Sequence, residues 1–167
     1  MEMKESVQQQ REMVDVQNKQ YEAMNISVEP CWEIKGYHYE ETVDDIYEYD
    51  EFGNSIDLIG HKERFIVYLD IMNKGKEARK AKIKDNNGSQ HFIAEVWEGG
   101  EIKLVAIDLS DEDRVRISNY QSVCVKLNFN YKNRYGKNYN KYWQMSIQKN
   151  PNGDQIDISY TQIKPLN

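Results

Sequence analysis

The sequence predicts a mainly β protein, a sandwich of about eight antiparallel strands with one helix before it. Apolar and polar side chains alternate most cleanly over residues 65–71 and 123–131. Turn-forming Asn, Gly and Pro residues separate such stretches at short intervals, with no helical pattern between them. Strands that follow one another without intervening helices favour a sandwich over a parallel α/β fold.

The helix is predicted over residues 1–24, which hold no Gly or Pro and many good helix formers. Its heptad seam has glutamine at two positions and consists of Met3, Val7, Gln10, Val14, Gln17, Tyr21 and Met24. Because short isolated helices are marginal in water, we expect an amphipathic helix that lies on its own domain. The alternative is a short coiled coil that joins chains into a homo-oligomer through residues 3–24.

Residues 25–167 are assigned to the sandwich domain. Residues 26–35 alternate around Trp32 and predict a first strand, which Pro30 places at a sheet edge. Residues 36–60 are irregular and acidic, so we expect a long acidic excursion there, in which Phe52-Gly53-Asn54 forms a turn between two short strands. The later strands are expected at residues 65–71, 80–84, 92–96, 101–109, 123–131, 143–147 and 156–160.

The two cysteines are predicted to be free thiols. Cys31 and Cys124 fall on the polar sides of their strands, whereas a bridge through a sandwich core needs inward-facing cysteines. The chain shows no apolar run of roughly 18–20 residues and no signal peptide. We therefore expect a cytoplasmic protein without a membrane span, or a membrane-anchored one if an upstream segment is missing.

Three segments carry a resemblance to a known kind of module. They are a strand of the form IxVxPxW, then FIVYLDIMNKGKEARKAKI, then VCVKLNFNYKNRYGKNYNKYW. This layout over residues 25–160 resembles the Ig-like sandwich modules that follow an N-terminal helix in many uncharacterised bacterial proteins, often membrane-anchored ones. The resemblance implies an Ig-like antiparallel β-sandwich with a binding or scaffolding role, and it implies no catalytic residue.

Charge is unevenly distributed in this chain of net charge −6. Residues 25–60 carry an excess of acids, and five of these acids form a predicted loop that could contact a protein or a cation: Asp44, Asp45, Glu48, Asp50 and Glu51. Residues 119–149 carry bases and no acid. Basic and aromatic side chains interleave there in a predicted hairpin, whose candidate binding residues are Lys132, Arg134, Tyr135, Lys137, Tyr139, Lys141 and Tyr142.

Motifs for catalysis or cofactor binding are absent from the sequence. None of the three histidines lies in a zinc-binding pattern, and neither GxSxG nor a phosphate-binding GxxxxGK[ST] loop occurs. The acidic clusters at residues 44–51 and 108–113 lack EF-hand spacing. We therefore expect no enzyme activity, no cofactor and no metal, and the negative net charge argues against nucleic acid as a partner.

The function expected from the sequence is a non-catalytic binding module of bacterial or phage origin, with a protein as its partner. The hairpin around Tyr135-Gly136 and the acidic loop would be its contact sites. Three alternatives stay open: a small inhibitor or anti-defence protein of a mobile element, a carbohydrate-active or hydrolytic sandwich domain, and the soluble domain of a membrane-anchored protein.

Overall fold

The computed structural model describes the backbone of residues 2–27 and 29–163 and the side chains of residues 3–24 and 29–162. A long helix is followed by eight strands and one short helix, which confirms the predicted mainly β fold class. The elements are α1 Glu2–Ser27, β1 Trp32–Tyr49, β2 Ser55–Asn73, β3 Ala78–Asp85, β4 Gln90–Trp97, β5 Ile102–Asp108, α2 Asp111–Ser118, β6 Val123–Asn133, β7 Asn138–Lys149 and β8 Ile156–Ile163.

The strands form two antiparallel sheets that pack as a sandwich. One sheet has the order β1-β2-β5, and the other has the order β4-β3-β6-β7-β8. In immunoglobulin constant domains the fourth strand joins the sheet of the first, second and fifth strands. Here β4 pairs with β3 in the larger sheet instead, and β8 adds a further strand beside β7.

The core lies between the sheets and is built by the alternating residues that the sequence singled out. Phe65, Val67, Leu69 and Ile71 of β2 are buried, and so is every second residue of β6 from Val123 to Asn133. Successive side chains of a strand point to opposite faces, so each alternation buries one whole face. Full burial of a side chain of this size stabilises the fold by about 1.5–3 kcal/mol.

The helix α1 differs from the prediction in two respects. It runs to Ser27, so Ile26 and Ser27 are helical rather than part of a strand, while Val28 lies outside the described residues. Every described side chain of α1, from residue 3 to residue 24, is exposed. The expectation that α1 buries its apolar side on the sandwich is therefore wrong.

The acidic segment at residues 36–60 belongs to two long paired strands, which corrects the predicted irregular excursion with two short strands. Strand β1 runs from Trp32 to Tyr49. After the turn, β2 runs back antiparallel to β1 and pairs with it along its whole length, from the Tyr49–Ser55 pair to the Trp32–Asn73 pair. The predicted turn is confirmed: the Gly53 N–H donates to the Asp50 carbonyl oxygen at 3.1 Å, and Gly53 has a φ of 80°.

A short helix, α2, was not predicted from the sequence. The Ser110 side chain caps its N-terminus by accepting a hydrogen bond from the Asp113 N–H at 3.2 Å. The acids at residues 111–113 occupy its first turn, where negative charge is favoured by the helix dipole. Cys31 and Cys124 are free and exposed, as predicted.

Candidate protein-binding surfaces

The β1–β2 hairpin extends beyond its sheet. Strand β5 pairs with β2 only from Ile66 to Met72, and no other described strand pairs with the outer part of the hairpin. We call residues 42–64 the arm. About eight residue pairs at roughly 3.3 Å each give the arm a length of about 25 Å beyond the sandwich. The arm is therefore a two-stranded ribbon with solvent on both faces.

The arm exposes an unusual amount of apolar surface for such a ribbon. Eight large apolar side chains are more than a third exposed: Val43, Ile46, Tyr47, Tyr49, Phe52, Ile56, Leu58 and Ile59. Phe52 at the turn is the most exposed of them, at 81%. Exposed apolar side chains concentrated on one projecting element favour an interaction site.

The five predicted acidic residues lie on the arm, distributed between its strands and its turn. Asp44, Asp45 and Glu48 belong to β1, and only Asp50 and Glu51 lie in the turn. No described group of three or more His, Cys, Asp and Glu side chains is arranged to hold a metal ion. The acidic cluster is thus one part of a mixed apolar and acidic surface.

Asp50 shapes the turn of the arm. Its carboxylate accepts hydrogen bonds from the N–H groups of Phe52 at 2.9 Å and Asn54 at 2.8 Å. The Asn54 N–H and the other donors of the turn lower the pKa of Asp50, because they favour its charged form. Since these bonds hold the turn together, Asp50 serves the arm structurally, and the neighbouring Glu51 and Glu48 are better placed to meet a partner.

The register of β1 with β2 sorts the arm residues onto two faces. Val43 pairs with Glu63, and Asp45 pairs with His61, on the face that continues the core side of the sheet. Asp44 pairs with Lys62, and Glu48 pairs with Asp57, on the opposite face. The His61 Nδ1 atom lies 2.7 Å from an Asp45 carboxylate oxygen, as this pairing requires. Each face therefore carries both acids and apolar side chains.

Arg64 fastens the base of the arm to β5. Its guanidinium donates to the Asp108 carboxylate at 2.6 and 3.0 Å, and to the Asp44 carboxylate at 3.3 Å. The hydrogen bonds and charge of Asp108 raise the pKa of Arg64, so the guanidinium stays charged. Beside it, Arg114 of α2 is ion-paired with Glu63. The arm is thus anchored at its base on both of its faces.

The predicted hairpin is present as β6 and β7, but its seven candidate residues do not share one surface. Arg134, Tyr135 and Lys137 are exposed in the turn. The register places Lys132 and Tyr142 on the outer face of the sheet and the remaining two, Tyr139 and Lys141, on the face that carries the core.

Tyr139 and Lys141 have partners within the fold. The Tyr139 ring stacks on buried Tyr131 with 5.4 Å between the ring centroids, and burial raises the pKa of Tyr139. The Lys141 Nζ lies 3.6 Å from a Glu29 carboxylate oxygen. These two residues therefore support the sandwich, which leaves the turn and the outer face as the exposed parts of the predicted site.

The outer face of the larger sheet carries a basic surface that was not predicted from the sequence. Pairing of β3 with β6 sets Arg79 beside Lys132, Lys82 beside Asn130 and Lys84 beside Asn128. We call the outward residues Arg79, Lys82, Lys84, Lys126 and Lys132 the basic face. Apart from Arg79, which is ion-paired with Glu77, none of them has an ion pair with another residue of the described chain.

Two apolar side chains adjoin the basic face on the edge strand β4. Ile93 pairs with Lys82, and Val96 pairs with Arg79. Ile93 and Val96 are 53% and 44% exposed. The alternation of Lys80, Lys82 and Lys84 with small or apolar residues was visible in the sequence, but its position beside β6 depends on pairing between distant segments.

Two open cavities bear on the hydrolase alternative. A cavity of about 340 Å³ lies between Trp32 and Trp143, and its one carboxylate belongs to Glu29, which is held by Lys141. A second, of about 360 Å³, lies at the base of the arm and includes Glu41 and Glu63. Neither arrangement places a nucleophile beside a base that a third group orients.

Comparisons with known proteins found no similar one. The chain matches no protein-family model, no curated protein and no solved structure. Within the described residues, neither helix is long and apolar enough to cross a membrane.

Proposed function

We propose that the chain is a non-catalytic binding module and that its arm is the main contact with a partner protein. The supporting observation is the ribbon itself, which projects about 25 Å past the strand that covers its base. Its large side chains remain exposed instead of contributing to the core. An exposed apolar ribbon carries an aggregation cost, so a binding role gives a reason for its presence.

The side chains of the arm indicate the kind of surface that it would meet. A few central side chains, among which aromatic ones are enriched, supply most of the affinity of a typical interface, and the arm offers Tyr47, Tyr49 and Phe52. The acids around them, such as Glu48, Glu51 and Asp57, add charge complementarity and speed association. We therefore expect a partner with an apolar strip that is edged by Lys and Arg.

A site-specific crosslinking experiment tests this role. A photoreactive residue at Ile56 on the arm is compared with one at Asn87, in the turn between β3 and β4. We expect a protein crosslinked from position 56 and not from position 87. The purified partner should then bind the full chain at least about tenfold more tightly than a variant whose arm is shortened at the Asp44–Lys62 pair. Equal affinity for both would contradict the proposal.

The inhibitor alternative is favoured by the same acidic ribbon. A ribbon with carboxylates on both faces can occupy a basic groove that otherwise holds a polyanion. If the crosslinked partner is a nucleic-acid-binding protein, the full chain should displace DNA from it in an electrophoretic competition. Persistence of the DNA complex at saturating amounts of the chain would exclude this function.

Pairing of chains through α1 is a separate proposal that the exposed helix supports. The seam residues Met3, Val7, Val14, Tyr21 and Met24 are between 46% and 84% exposed. In proteins most of the stability of a helix comes from packing of its apolar side rather than from intrinsic propensity. At about 1 M salt, where contacts between charged surfaces are screened, light scattering should give a mass above that of one chain, and substitution of Val7 and Val14 by Asp should lower it to one chain. An unchanged mass would contradict this proposal.

A further inference from the structure

We infer that the arm of one copy docks on the basic face of a second copy, so that chains associate head to tail. This inference rests on the proposed binding role of the arm and names a second copy of the chain as its partner. The inference rests on two exposed surfaces of the chain, which have opposite charges and corresponding apolar side chains.

The charges of the two surfaces are opposite. The arm holds seven acids against two bases, Lys62 and Arg64. The basic face holds five bases, and four of them are without an ion pair within the described chain. At moderate ionic strength, charges are screened beyond about 8–10 Å. The net charge of −6 therefore opposes the approach of two copies less than the opposite charges of the arm and the basic face favour it.

The apolar parts of the two surfaces also correspond. On the outer side of the arm, Ile46 lies between Asp44 and Glu48 along β1. On the other surface, Ile93 and Val96 lie beside Lys82 and Arg79. Both surfaces are β-structure, so their side chains repeat at the same spacing of roughly 7 Å along a strand. Acids can thus face bases while apolar side chains face each other.

The two surfaces of one molecule are poorly placed to meet each other. The arm continues the smaller sheet, whereas the basic face is the outward side of the larger sheet. Docking therefore joins different copies. Because the two contacting patches differ, the contact is heterologous, and each added copy leaves one free arm and one free basic face.

Sedimentation velocity of the full chain gives the first test. We expect the mass at about 100 mM salt to rise with protein concentration, and this dependence to disappear at about 1 M salt, because salt screens exposed charge pairs. A mass that does not change with concentration at either salt level would overturn the inference.

Charge-reversal variants make the test specific. One variant reverses the arm with Glu48→Lys, Glu51→Lys and Asp57→Lys. The other reverses the basic face with Lys82→Glu, Lys84→Glu and Lys132→Glu. Each variant alone should associate at least about tenfold more weakly, because its arm and its face then have the same sign. An equimolar mixture should associate within about threefold of the original chain, because opposite signs meet again.

A control and two contrary outcomes complete the design. Reversal of Glu5, Glu12 and Glu22 on α1 to Lys changes the net charge by as much as the arm reversal does, and it should leave association unchanged. A mixture as dissociated as its components would overturn the inference. So would association that ignores both reversals and is lost when Val7 and Val14 become Asp. Failure here would leave the proposed function intact if Ile56 still crosslinks to a different protein.

Discussion

Asn73 on β2 joins the two sheets by donating a hydrogen bond from Nδ2 to the carbonyl oxygen of Trp97 on β4, at 3.1 Å. The same amide donates to the Lys76 carbonyl at 2.7 Å. Its Oδ1 accepts from the N–H groups of Gly75 at 3.0 Å and Cys31 at 3.3 Å. Asn73 is fully buried, so one buried side chain bonds four backbone groups from separate segments of the chain.

Asn73→Ala should lower the free energy of unfolding by about 3 kcal/mol, because the buried Trp97 carbonyl and three partly buried backbone groups lose their partner. Asn150→Ala is the matched control. Asn150 is exposed, and its side-chain oxygen accepts the Asn152 N–H at 2.9 Å, so we expect a loss below about 1 kcal/mol. Urea denaturation of both variants measures the difference. Equal losses would show that the link between the sheets is not important for stability.

Gly75→Ala should lower the free energy of unfolding by about 1–3 kcal/mol through overpacking. A Cβ at Gly75 would lie 2.7 Å from the Cys31 backbone nitrogen and would also collide with the Glu29 carbonyl oxygen. Gly60→Ala is the control, because nothing lies within 4 Å of a Cβ there and its φ is not positive. Thermal unfolding should show a lower Tm for Gly75→Ala alone. A similar Tm for both variants would contradict the close approach of the two loops.

Tyr131→Phe should reduce the loss of stability at alkaline pH. Burial raises the pKa of Tyr131 well above its ordinary value near 10. Below pH 10 both states keep the proton. Above it the unfolded chain releases the proton and the folded chain does not, so this residue lowers the free energy of unfolding by up to about 1.4 kcal/mol per pH unit.

Urea denaturation between about pH 9 and 11.5 measures this effect around the ordinary tyrosine pKa. The slope against pH should be smaller for Tyr131→Phe than for the original chain. Tyr135→Phe, at the exposed turn between β6 and β7, should keep the original slope. If both variants keep it, Tyr131 ionises at the same pH in the folded and unfolded states.

Shortening the arm should leave the stability of the sandwich nearly unchanged. Replacing residues 45–61 by Asn-Gly closes a short hairpin between Asp44 and Lys62, which pair directly. None of the removed residues belongs to the buried core, so we expect a change below about 1 kcal/mol in the free energy of unfolding. Circular dichroism in urea gives this value. A large loss would mean that the arm is part of the folding unit, and would weaken the case for a binding role.

The core strands could be predicted because their residues alternate without interruption, as Phe65–Ile71 and Val123–Tyr131 show. The arm was taken for an irregular excursion because register shifts between Ile46 and Tyr47, and again between Glu48 and Tyr49, disturb this alternation. A bulge adds a residue to one strand and shifts the parity of those that follow. Because both faces of the arm are exposed, its residues do not alternate between apolar and polar, and this alternation is what would predict a strand.

The candidate surfaces were predicted less well than the fold, for a related reason. The acids of the arm were visible in sequence, but their neighbours His61 and Lys62 come from the returning strand. The basic face joins Lys82 and Lys84 to Lys126 and Lys132, more than forty residues later in the chain. Only strand pairing brings such residues together, and local pattern does not encode which strands pair. The helix α2, in contrast, had a local signal in Ser110 and the acids after it.

The arm also bears on how the protein avoids fibril formation. A ribbon with unpaired edges and exposed side chains such as Ile56, Leu58 and Ile59 resembles the segments from which cross-β aggregates grow. Identical ribbons that stack in register would bring Asp44, Glu48 and their neighbours onto their own copies, and like charges would repel. The carboxylates therefore act as gatekeepers against stacking.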